Sequence, residues 1–295
     1  MTDNAPRKPA RILIVYNPHK NNALTIAGEA RDILNQAGIL TTLQAYQPHP
    51  GELDEPLARQ AREFDVVLVL GGDGTILGVA RQTAENPRPI MGVNLGGFGF
   101  LTAAACHELE QALQCLITGN YRTQNRFFLE ARVERPAKEE ITCVFHSLAL
   151  NEALITLSQP GRLLKLWLGE SEESALAYRA DGIIIATPNG STGHSLSAGG
   201  PILEPHLPAL VITPVSPHSL FNRPLVIGGE KELRIWFQEH TADLVLILDG
   251  QIRTTLHSSD RVIVQRSKHT VPTISMPERA FSQVLRYKFN LGESV

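Results

Sequence analysis

Asp65–Thr75 reads DVVLVLGGDGT, a continuous apolar run that ends at a bend rich in glycine. An unbroken run of valine and leucine is typical of a parallel strand buried on both faces. Helical spacing of apolar residues resumes over Thr75–Thr83. The segment therefore predicts a strand, a glycine bend and a helix in direct succession, the unit from which a parallel sheet covered by helices is built.

The same alternation of strand and helix patterns extends on both sides of this segment. Short apolar runs closed by turn signals predict strands, and apolar residues at helical spacing predict helices. Gly38 is the expected stop of the first helix. The predicted strands are Arg11–Tyr16, Leu40–Tyr46 and Pro89–Asn94, and the predicted helices are Ala23–Gln36 and Glu55–Glu63.

The pattern changes after about residue 105. One helix is predicted at His107–Gly119, and short strand-like runs separated by turn signals follow it. Many short strands with few helices predict an antiparallel β domain of the sandwich type. We therefore expect an α/β, Rossmann-like domain over residues 1–105 and an all-β domain over residues 106–269. The predicted strands are Arg126–Val133, Ile141–Ser147, Ala153–Leu157, Leu163–Leu168, Gly182–Thr187, Leu210–Pro214, Leu225–Ile227, Leu233–Phe237, Leu244–Leu248 and Arg261–Gln265, and no pairing partner is predicted for Phe281–Leu291.

Composition excludes several classes of protein. The 295 residues include 43% apolar and 19% charged residues with a net charge of −3, which excludes a disordered polyelectrolyte and a broad basic face for nucleic acid. The first residues, MTDNAPRKPAR, lack the apolar segment of a secretory signal, and no run approaches the ~20 apolar residues of a membrane span. We expect a cytoplasmic protein without nucleic-acid or membrane partners. The cysteines, Cys106, Cys115 and Cys143, are expected to be buried thiols outside any disulfide framework.

Gly72, Asp73 and Gly74 lie where the predicted strand meets the predicted helix. The unpaired N–H groups of a first helical turn carry partial positive charge, and glycine lets an anion approach them closely, so the bend is typical of a phosphate cradle. It is neither a Walker loop nor the dinucleotide fingerprint. Phosphate groups repel a carboxylate, so a carboxylate at this position is expected to have a chemical function. Asp73 would either take a proton from an attacking hydroxyl or help to hold a metal through water. The alternative is an ordinary loop in which Asp73 caps the helix.

Three later segments are weaker candidates on their own. Asn151 and Glu152 suit a ribose diol, although an edge-strand exit explains them equally well. The hydroxyl-rich stretch Asp181–Pro201 suits a ligand packed against backbone or a solvated loop. Asp249-Gly250 is typical of a hairpin turn. The ten histidines show no metal-ligand spacing, so no protein-held metal is predicted.

Taken together and in this order, the segments resemble the NAD kinase family over nearly the whole chain. The glycine bend alone is shared with lipid kinases, whereas the long second-domain motif is far more specific. The motifs that carry the resemblance are GGDGT (71–75), VNLGGFGFLT (93–102), LNE (150–152), DGIIIATPNGSTGHSLSAGGPI (181–202), PHSLFNRPLVI (217–227) and DGQ (249–251).

The resemblance implies a fold and a reaction. An α/β domain and a β-rich domain are expected, with the tail from about residue 270 to 295 returning to the first. The γ-phosphoryl group of ATP would move to the 2′-hydroxyl of the adenosine ribose of NAD, giving NADP and ADP, with Mg²⁺ required. Members of the family are usually homo-oligomers, so a dimer or tetramer is expected.

The resemblance also implies roles for individual residues. Asp73 would be the general base with Gly72 and Gly74 beside it, and Asp181 would contact the nicotinamide amide region. The family commonly has Ala-Tyr in place of Gly193-His194 and Thr in place of Asn189, so the fit around adenine and ribose departs from the family pattern there. The remaining expected dinucleotide contacts are Asn151, Glu152, Arg162, Arg179, Thr192, Gly193, His194, Ser195, Leu196, Ser197 and Gln251.

Two other functions stay open from the sequence. GGDGT by itself allows a lipid kinase, which would yield phosphorylated lipid and no NADP. A pyridine-nucleotide sensor without turnover would keep the pocket, but the presence of Asp73 argues against it.

Overall fold

A computed structural model describes residues 7–47, 55–96, 99–137, 140–158, 163–218, 223–238, 244–277 and 280–289. The chain divides into two compact units. The first unit comprises Met1–Arg126 and Thr270–Val295, and the second comprises Phe127–His269. Within the described residues, no helix is both long enough and apolar enough to cross a membrane.

The first unit is built on a parallel sheet with the strand order β4-β3-β1-β2. Every residue of β3 is buried, as the unbroken apolar run requires, since helices cover both faces of such a sheet. The first elements are β1 (Arg11–Tyr16), α1 (Ala23–Gln36), β2 (Leu40–Ala45), α2 (Glu55–Ala61), β3 (Val66–Gly71), α3 (Asp73–Gln82), β4 (Ile90–Asn94), β5 (Ala104–Ala105) and α4 (Leu109–Thr118).

Helix α1 packs its alanines against this sheet. Ala27 and Ala30 share a buried core with Ile12 and Ile14 of β1, because apolar residues at helical spacing line one face of the helix. The helix ends just before Gly38, whose φ of +79° lies in the left-handed region that glycine adopts without strain.

The second unit contains a six-stranded antiparallel sheet with the order β13-β12-β11-β8-β15-β16. Its central strands β8 and β11 pair from Glu152 with Ala186 to Thr156 with Gly182. The elements are β6 (Arg122–Ala137), β7 (Glu140–Ala149), β8 (Glu152–Leu157), β9 (Leu164–Gly169), β10 (Leu176–Ala180), β11 (Gly182–Ala186), α5 (His194–Ser197), β12 (Ala209–Val215), β13 (Leu225–Gly228), β14 (Leu233–Phe237), β15 (Leu244–Leu248), β16 (Ile252–Leu256) and β17 (Arg261–Ser275).

The remaining strands of the second unit form the other layer of a sandwich. Strands β10, β9, β14 and β17 pair in that order, and β6 pairs with β7. Leu166 of β9 and Ile235 of β14 share one buried core with Ile155 of β8 and Ile185 of β11. Alternating buried positions in β9 and β14 supply this core, as expected where one face of a strand is covered.

The predicted fold class, an α/β domain with a β-rich domain, is confirmed. Sequence patterns missed three strands, β5, β10 and β16, and two helices, α5 and α6 (Phe281–Phe289). Helix α6 belongs to the first unit. The expectation of buried cysteines is wrong, because Cys143 is exposed and Cys106 and Cys115 are only partly buried. Cys143 lies on β7, which among the described strands pairs only with β6 and leaves most of its residues exposed.

Candidate functional site

The glycine bend, Gly71–Gly74, lies at the carboxyl ends of neighbouring parallel strands. Leu95, just after β4, donates its backbone N–H to the Gly71 carbonyl at 3.0 Å. Asn17, just after β1, donates from Nδ2 to Oγ1 of Thr75 at 3.0 Å. Ligands of open α/β sheets bind at the carboxyl ends of strands, so the bend occupies the expected position for a site.

Asp73 is held in place by a loop that lies far from it in sequence. Phe100 donates its backbone N–H to Asp73 Oδ2 at 2.9 Å, and Leu101 donates to Oδ1 at 3.2 Å. The residue before α3 is Gly72, and no side chain of the described residues caps this helix. The alternative in which Asp73 serves as the helix cap is therefore wrong.

Burial raises the pKa of Asp73 above its ordinary value. The two N–H donors and the positive charge of Lys288 act in the opposite direction and favour the ionised form. A carboxylate with a raised pKa is a better proton acceptor, and two fixed donors define its orientation. The arrangement suits a general base.

Two glycines of this region, Gly99 and Gly72, have opposite steric surroundings. A Cβ on Gly99 would overlap the Asp73 carboxyl group, so only glycine leaves the carboxylate where it lies. By contrast, a Cβ on Gly72 would meet no atom of the described residues within 4 Å, and its φ of −117° is open to any residue. The fold alone does not require glycine at position 72, which is consistent with space kept for a ligand.

Asn151 and Glu152 form an amide–carboxyl pair at the start of β8 in the second unit. Glu152 is 7% exposed, and its Oε2 has no hydrogen-bond partner among the described residues. Burial, with a further contribution from the charge of Asp249, raises the pKa of Glu152 to about 8. A buried polar atom without a partner is costly, so this oxygen is well placed to meet a ligand hydroxyl.

Asp249 fixes the backbone of this pair. Its Oδ1 accepts from the N–H groups of Asn151 at 2.7 Å and Glu152 at 3.3 Å, and its Oδ2 accepts from Leu150 at 3.0 Å. Asp249 adopts a φ of +52° in the turn between β15 and β16, where Gly250 follows with +67°. The hairpin turn expected from Asp249-Gly250 is confirmed, and its aspartate does more than make the turn.

The segment after β11 completes the environment of Asn151. Asn189 donates from Nδ2 to Asn151 Oδ1 at 2.6 Å, and Thr187 donates its N–H to the Asn151 carbonyl at 2.8 Å. A Cβ on Gly193 would lie 3.6 Å from Glu152 Oε2 and 3.7 Å from Asn151 Nδ2. The glycine at position 193 therefore lies directly beside both side chains of the pair.

The predicted contacts between Thr192 and Ser197 include both buried and exposed side chains. Ser195 is fully buried and shares a 2.8 Å hydrogen bond with Thr213, so its hydroxyl is used within the fold. Thr192 donates to the Asn189 carbonyl at 3.0 Å. The exposed or partly exposed members are Thr192, Gly193, His194, Leu196 and Ser197.

Not every predicted contact lies near the amide–carboxyl pair. Asp181 is exposed and lies beside the Thr156 end of β8, about 13 Å along the strand from Glu152 at ~3.3 Å per residue. Arg179 is an exposed residue of β10, which pairs with β9. Gln251 is partly buried in the turn that Asp249 begins. Arg162 lies outside the described residues.

Three functional candidates were missed from the sequence. Asp249 was assigned only to a turn, and Asn189 was noted only as a departure from the family. The N–H donors at Phe100 and Leu101 carry no side-chain signal at all. An aspartate and an asparagine in turns next to buried strands are the only hints that the sequence offers.

No group of three or more His, Cys, Asp or Glu side chains that could hold a metal ion occurs in the described part of the chain. Asp73 is the carboxylate of the glycine bend, and both of its oxygens already accept backbone N–H groups. The described residues therefore do not form a cage for a resident metal.

Comparison with known proteins covers both halves of the chain. The family model of the ATP-NAD kinase N-terminal domain matches residues 12–121, and that of the C-terminal domain matches residues 150–276. An NAD kinase from Heliobacterium modesticaldum is 38% identical over 283 residues, covering 95% of this chain and 98% of the relative. An NAD kinase from Geobacter metallireducens is 37% identical over 284 residues, with coverage of 96% and 99%.

Solved structures agree in fold. Yeast NADH kinase complexed with NADH superposes with a TM-score of 0.80 at 21% identity, over 98% of this chain and 90% of that one. An NAD kinase from Archaeoglobus fulgidus in complex with ATP superposes with a TM-score of 0.70 at 25% identity, over 95% of this chain and 98% of that one. These proteins are phosphotransferases, a class in which positioning and charge matter more than covalent chemistry. The chain belongs to the NAD kinase family.

Proposed function

We propose that the protein transfers the γ-phosphoryl group of ATP to the 2′-hydroxyl of the adenosine ribose of NAD, giving NADP and ADP. Family membership across both halves of the chain supports the reaction. The observation that carries the mechanism is the Asp73 carboxylate, partly buried at the glycine bend and oriented by two backbone N–H groups. The lipid-kinase alternative depended on GGDGT alone and has no support from the second half of the chain.

Asp73 is assigned the role of general base. The 2′-hydroxyl oxygen forms a bond to the γ-phosphorus, its proton passes to the Asp73 carboxylate, and the bond between that phosphorus and the bridging oxygen of ADP breaks. A ribose hydroxyl is a weak nucleophile at neutral pH, so a positioned base contributes about 10²–10⁴-fold to the rate. The N–H groups of the first turn of α3 would meet phosphate oxygens that approach the glycine bend.

Asn151 and Glu152 are assigned to a ribose diol of NAD. Because its pKa is raised to about 8, Glu152 carries a proton at neutral pH before the ligand binds. A protonated carboxyl group both donates and accepts, which suits two adjacent hydroxyls. Gly193, beside both side chains, leaves room for the sugar.

The other dinucleotide contacts are proposed from the family resemblance. Asp181 would contact the nicotinamide amide region, and Arg162 and Arg179 would make further contacts to the dinucleotide. The segment from Thr192 to Ser197 would line the adenine and ribose pocket, and Gln251 would close it.

Mg²⁺ is assigned to the nucleotide. It takes oxygen ligands, keeps several waters and commonly binds through substrate phosphates with one or two carboxylates, so it would arrive with ATP and neutralise phosphate charge. We further propose a cytoplasmic homo-oligomer, a dimer or tetramer, whose mass in solution light scattering would measure.

The direct test is product formation. Purified protein is incubated with ATP, Mg²⁺ and NAD, and NADP is measured with an NADP-specific dehydrogenase. Parallel reactions replace ATP with polyphosphate and NAD with NADH, and a diacylglycerol reaction serves as the lipid control. We expect NADP and no phosphorylated lipid. No NADP from any donor, together with NAD binding in calorimetry, would overturn the proposal in favour of a sensor.

A further inference from the structure

The last turn of α6 packs on Phe100 within the first unit. The Phe289 ring centroid lies 5.8 Å from that of Phe100, with 37° between the ring planes. Lys288 Nζ lies 5.5 Å from the Phe100 ring centroid. Tilted rings at this separation and a cation near an aromatic face are both favourable contacts. Two successive residues near the end of α6 therefore hold one ring.

Phe100 is also a direct partner of the proposed base. Its backbone N–H donates to Asp73 Oδ2, and the following residue, Leu101, donates to Oδ1. Gly99, immediately before it, has no room for a Cβ because the Asp73 carboxyl group fills that space. Any movement of the Phe100 ring that shifts its backbone would therefore shift the acceptor geometry at Asp73.

Lys288 adds a charge to this contact. Among the described residues, the groups that act on Asp73 are the N–H donors of Phe100 and Leu101 and the cation of Lys288. Arg286, in the same last turn of α6, carries the same formal charge but is not among them. The chain thus offers a matched control for the effect of one positive charge near the carboxylate.

We propose that Lys288 and Phe289 are positioning residues for Asp73, acting through Phe100 and supplying a nearby positive charge that favours the carboxylate. This inference rests on the proposed function in so far as it takes Asp73 to be the general base. It assigns a function to helix α6, for which the sequence pattern predicted no pairing partner.

The first experiment compares pH profiles of kcat for the wild type, Lys288→Gln, Lys288→Arg and Arg286→Gln. Without the Lys288 charge, Asp73 needs a higher pH to ionise. In Lys288→Gln we therefore expect kcat to fall about threefold on the acidic limb and to approach the wild-type value at alkaline pH. Lys288→Arg and Arg286→Gln should follow the wild type. Superimposable profiles for Lys288→Gln and Arg286→Gln would overturn the inference.

The Phe289 contact has its own readout. Phe289→Ala should lower kcat with little change in the KM for NAD, because the base is displaced while the dinucleotide contacts remain. In an Asp73→Asn background the same substitution should have no further effect on kcat. Additive effects of Phe289→Ala and Asp73→Asn would show that the ring contact does not act through Asp73.

A second measurement separates this inference from the proposed function. Aspartate labelled with ¹³C at the carboxyl carbon allows Asp73 to be titrated by NMR, with Asp73→Asn assigning its signal. We expect the midpoint to lie at higher pH in Lys288→Gln than in the wild type or Arg286→Gln. This result needs no turnover, so an inactive wild type would defeat the kinase proposal alone. Identical Asp73 titrations in all three proteins would defeat the role of Lys288.

Discussion

Asp249 Oδ1 accepts a hydrogen bond from the Asn151 backbone N–H at 2.7 Å, although 98 positions separate the two residues. The same carboxylate also accepts from Leu150 and Glu152, so one side chain fixes three successive residues. Its charge lies close enough to Glu152 to raise the pKa of that carboxyl group further. Asp249 thus positions the proposed ribose contact and adds to the effect of burial, the larger cause of the raised pKa of Glu152.

Asp249→Ala should therefore impair stability and substrate binding together. Leaving buried N–H groups without an acceptor costs about 1–3 kcal/mol, so the free energy of unfolding should fall by that amount in a urea titration. The KM for NAD should rise about tenfold, since the pair loses its support. Glu173→Ala, which removes an exposed carboxylate from the same unit, should change stability by less than about 0.5 kcal/mol. Equal stability of the two variants would contradict the role assigned to Asp249.

Glu152 should make stability depend on pH in a defined direction. Burial raises its pKa from an ordinary value of 4.5 to about 8, so between those pH values the folded state holds a proton that the unfolded state has lost. Stability contributed by this group therefore falls as pH rises from about 4.5 to about 8 and changes little above that. The fall should be on the order of a few kcal/mol. The free energy of unfolding of the wild type and of Glu152→Gln is measured by urea titration across this pH range. We expect the wild type to lose stability relative to the glutamine variant as the pH rises. A difference in the free energy of unfolding that does not change with pH would refute the assignment.

Gly99→Ala should displace the Asp73 carboxylate while residue 73 itself stays unchanged. The added Cβ would overlap the Asp73 carboxyl group and force it away from the N–H groups of Phe100 and Leu101. We expect kcat to fall about 10–100-fold, as for other small misplacements of catalytic groups. Gly96→Ala is the matched control, because in the described part of the chain its Cβ would meet only Asn94 Oδ1, at an ordinary 3.6 Å. Comparable kcat values for the two alanine variants would count against this geometry.

Gly72→Ala tests whether the bend is shaped for a ligand. The fold leaves open space at this position, so the melting temperature should be unchanged. If phosphate approaches the backbone there, a methyl group obstructs it, and the KM for ATP should rise about tenfold. Gly28→Ala, also in open space but within α1, should raise stability by about 0.5–1 kcal/mol and leave the KM unchanged. A wild-type KM in Gly72→Ala would mean that phosphate does not pass this residue.

Local patterns predicted the elements that bury a continuous or periodic apolar face. Strand β3 was recovered from its unbroken apolar run, and helix α1 was recovered from the helical spacing of its apolar residues. Strands β10 and β16 were missed because each has only two buried residues, with an exposed arginine between them. Helix α6 was missed because its nine residues are fewer than the roughly 11–18 over which helical periodicity can be recognised.

The site was predictable only in its side-chain chemistry. Asp73, Asn151 and Glu152 stand out as polar residues beside apolar strands, which a sequence shows directly. Their partners do not stand out, because Asp249 and Phe100 reach them through contacts that depend on the tertiary fold. Sequence order carries no information on which turn supplies an acceptor or which loop supplies an N–H donor.

If Asp73 takes the proton from the 2′-hydroxyl of NAD, Asp73→Asn should lose turnover and still bind NAD. The measurement pairs kcat for NADP formation at saturating ATP with the Kd for NAD from calorimetry. The account predicts a kcat lower by about 10²–10⁴-fold and a Kd that changes by less than about threefold, since asparagine keeps the shape but cannot accept the proton. A variant that retains a near-normal kcat would contradict the account, because another group would then have to remove the proton.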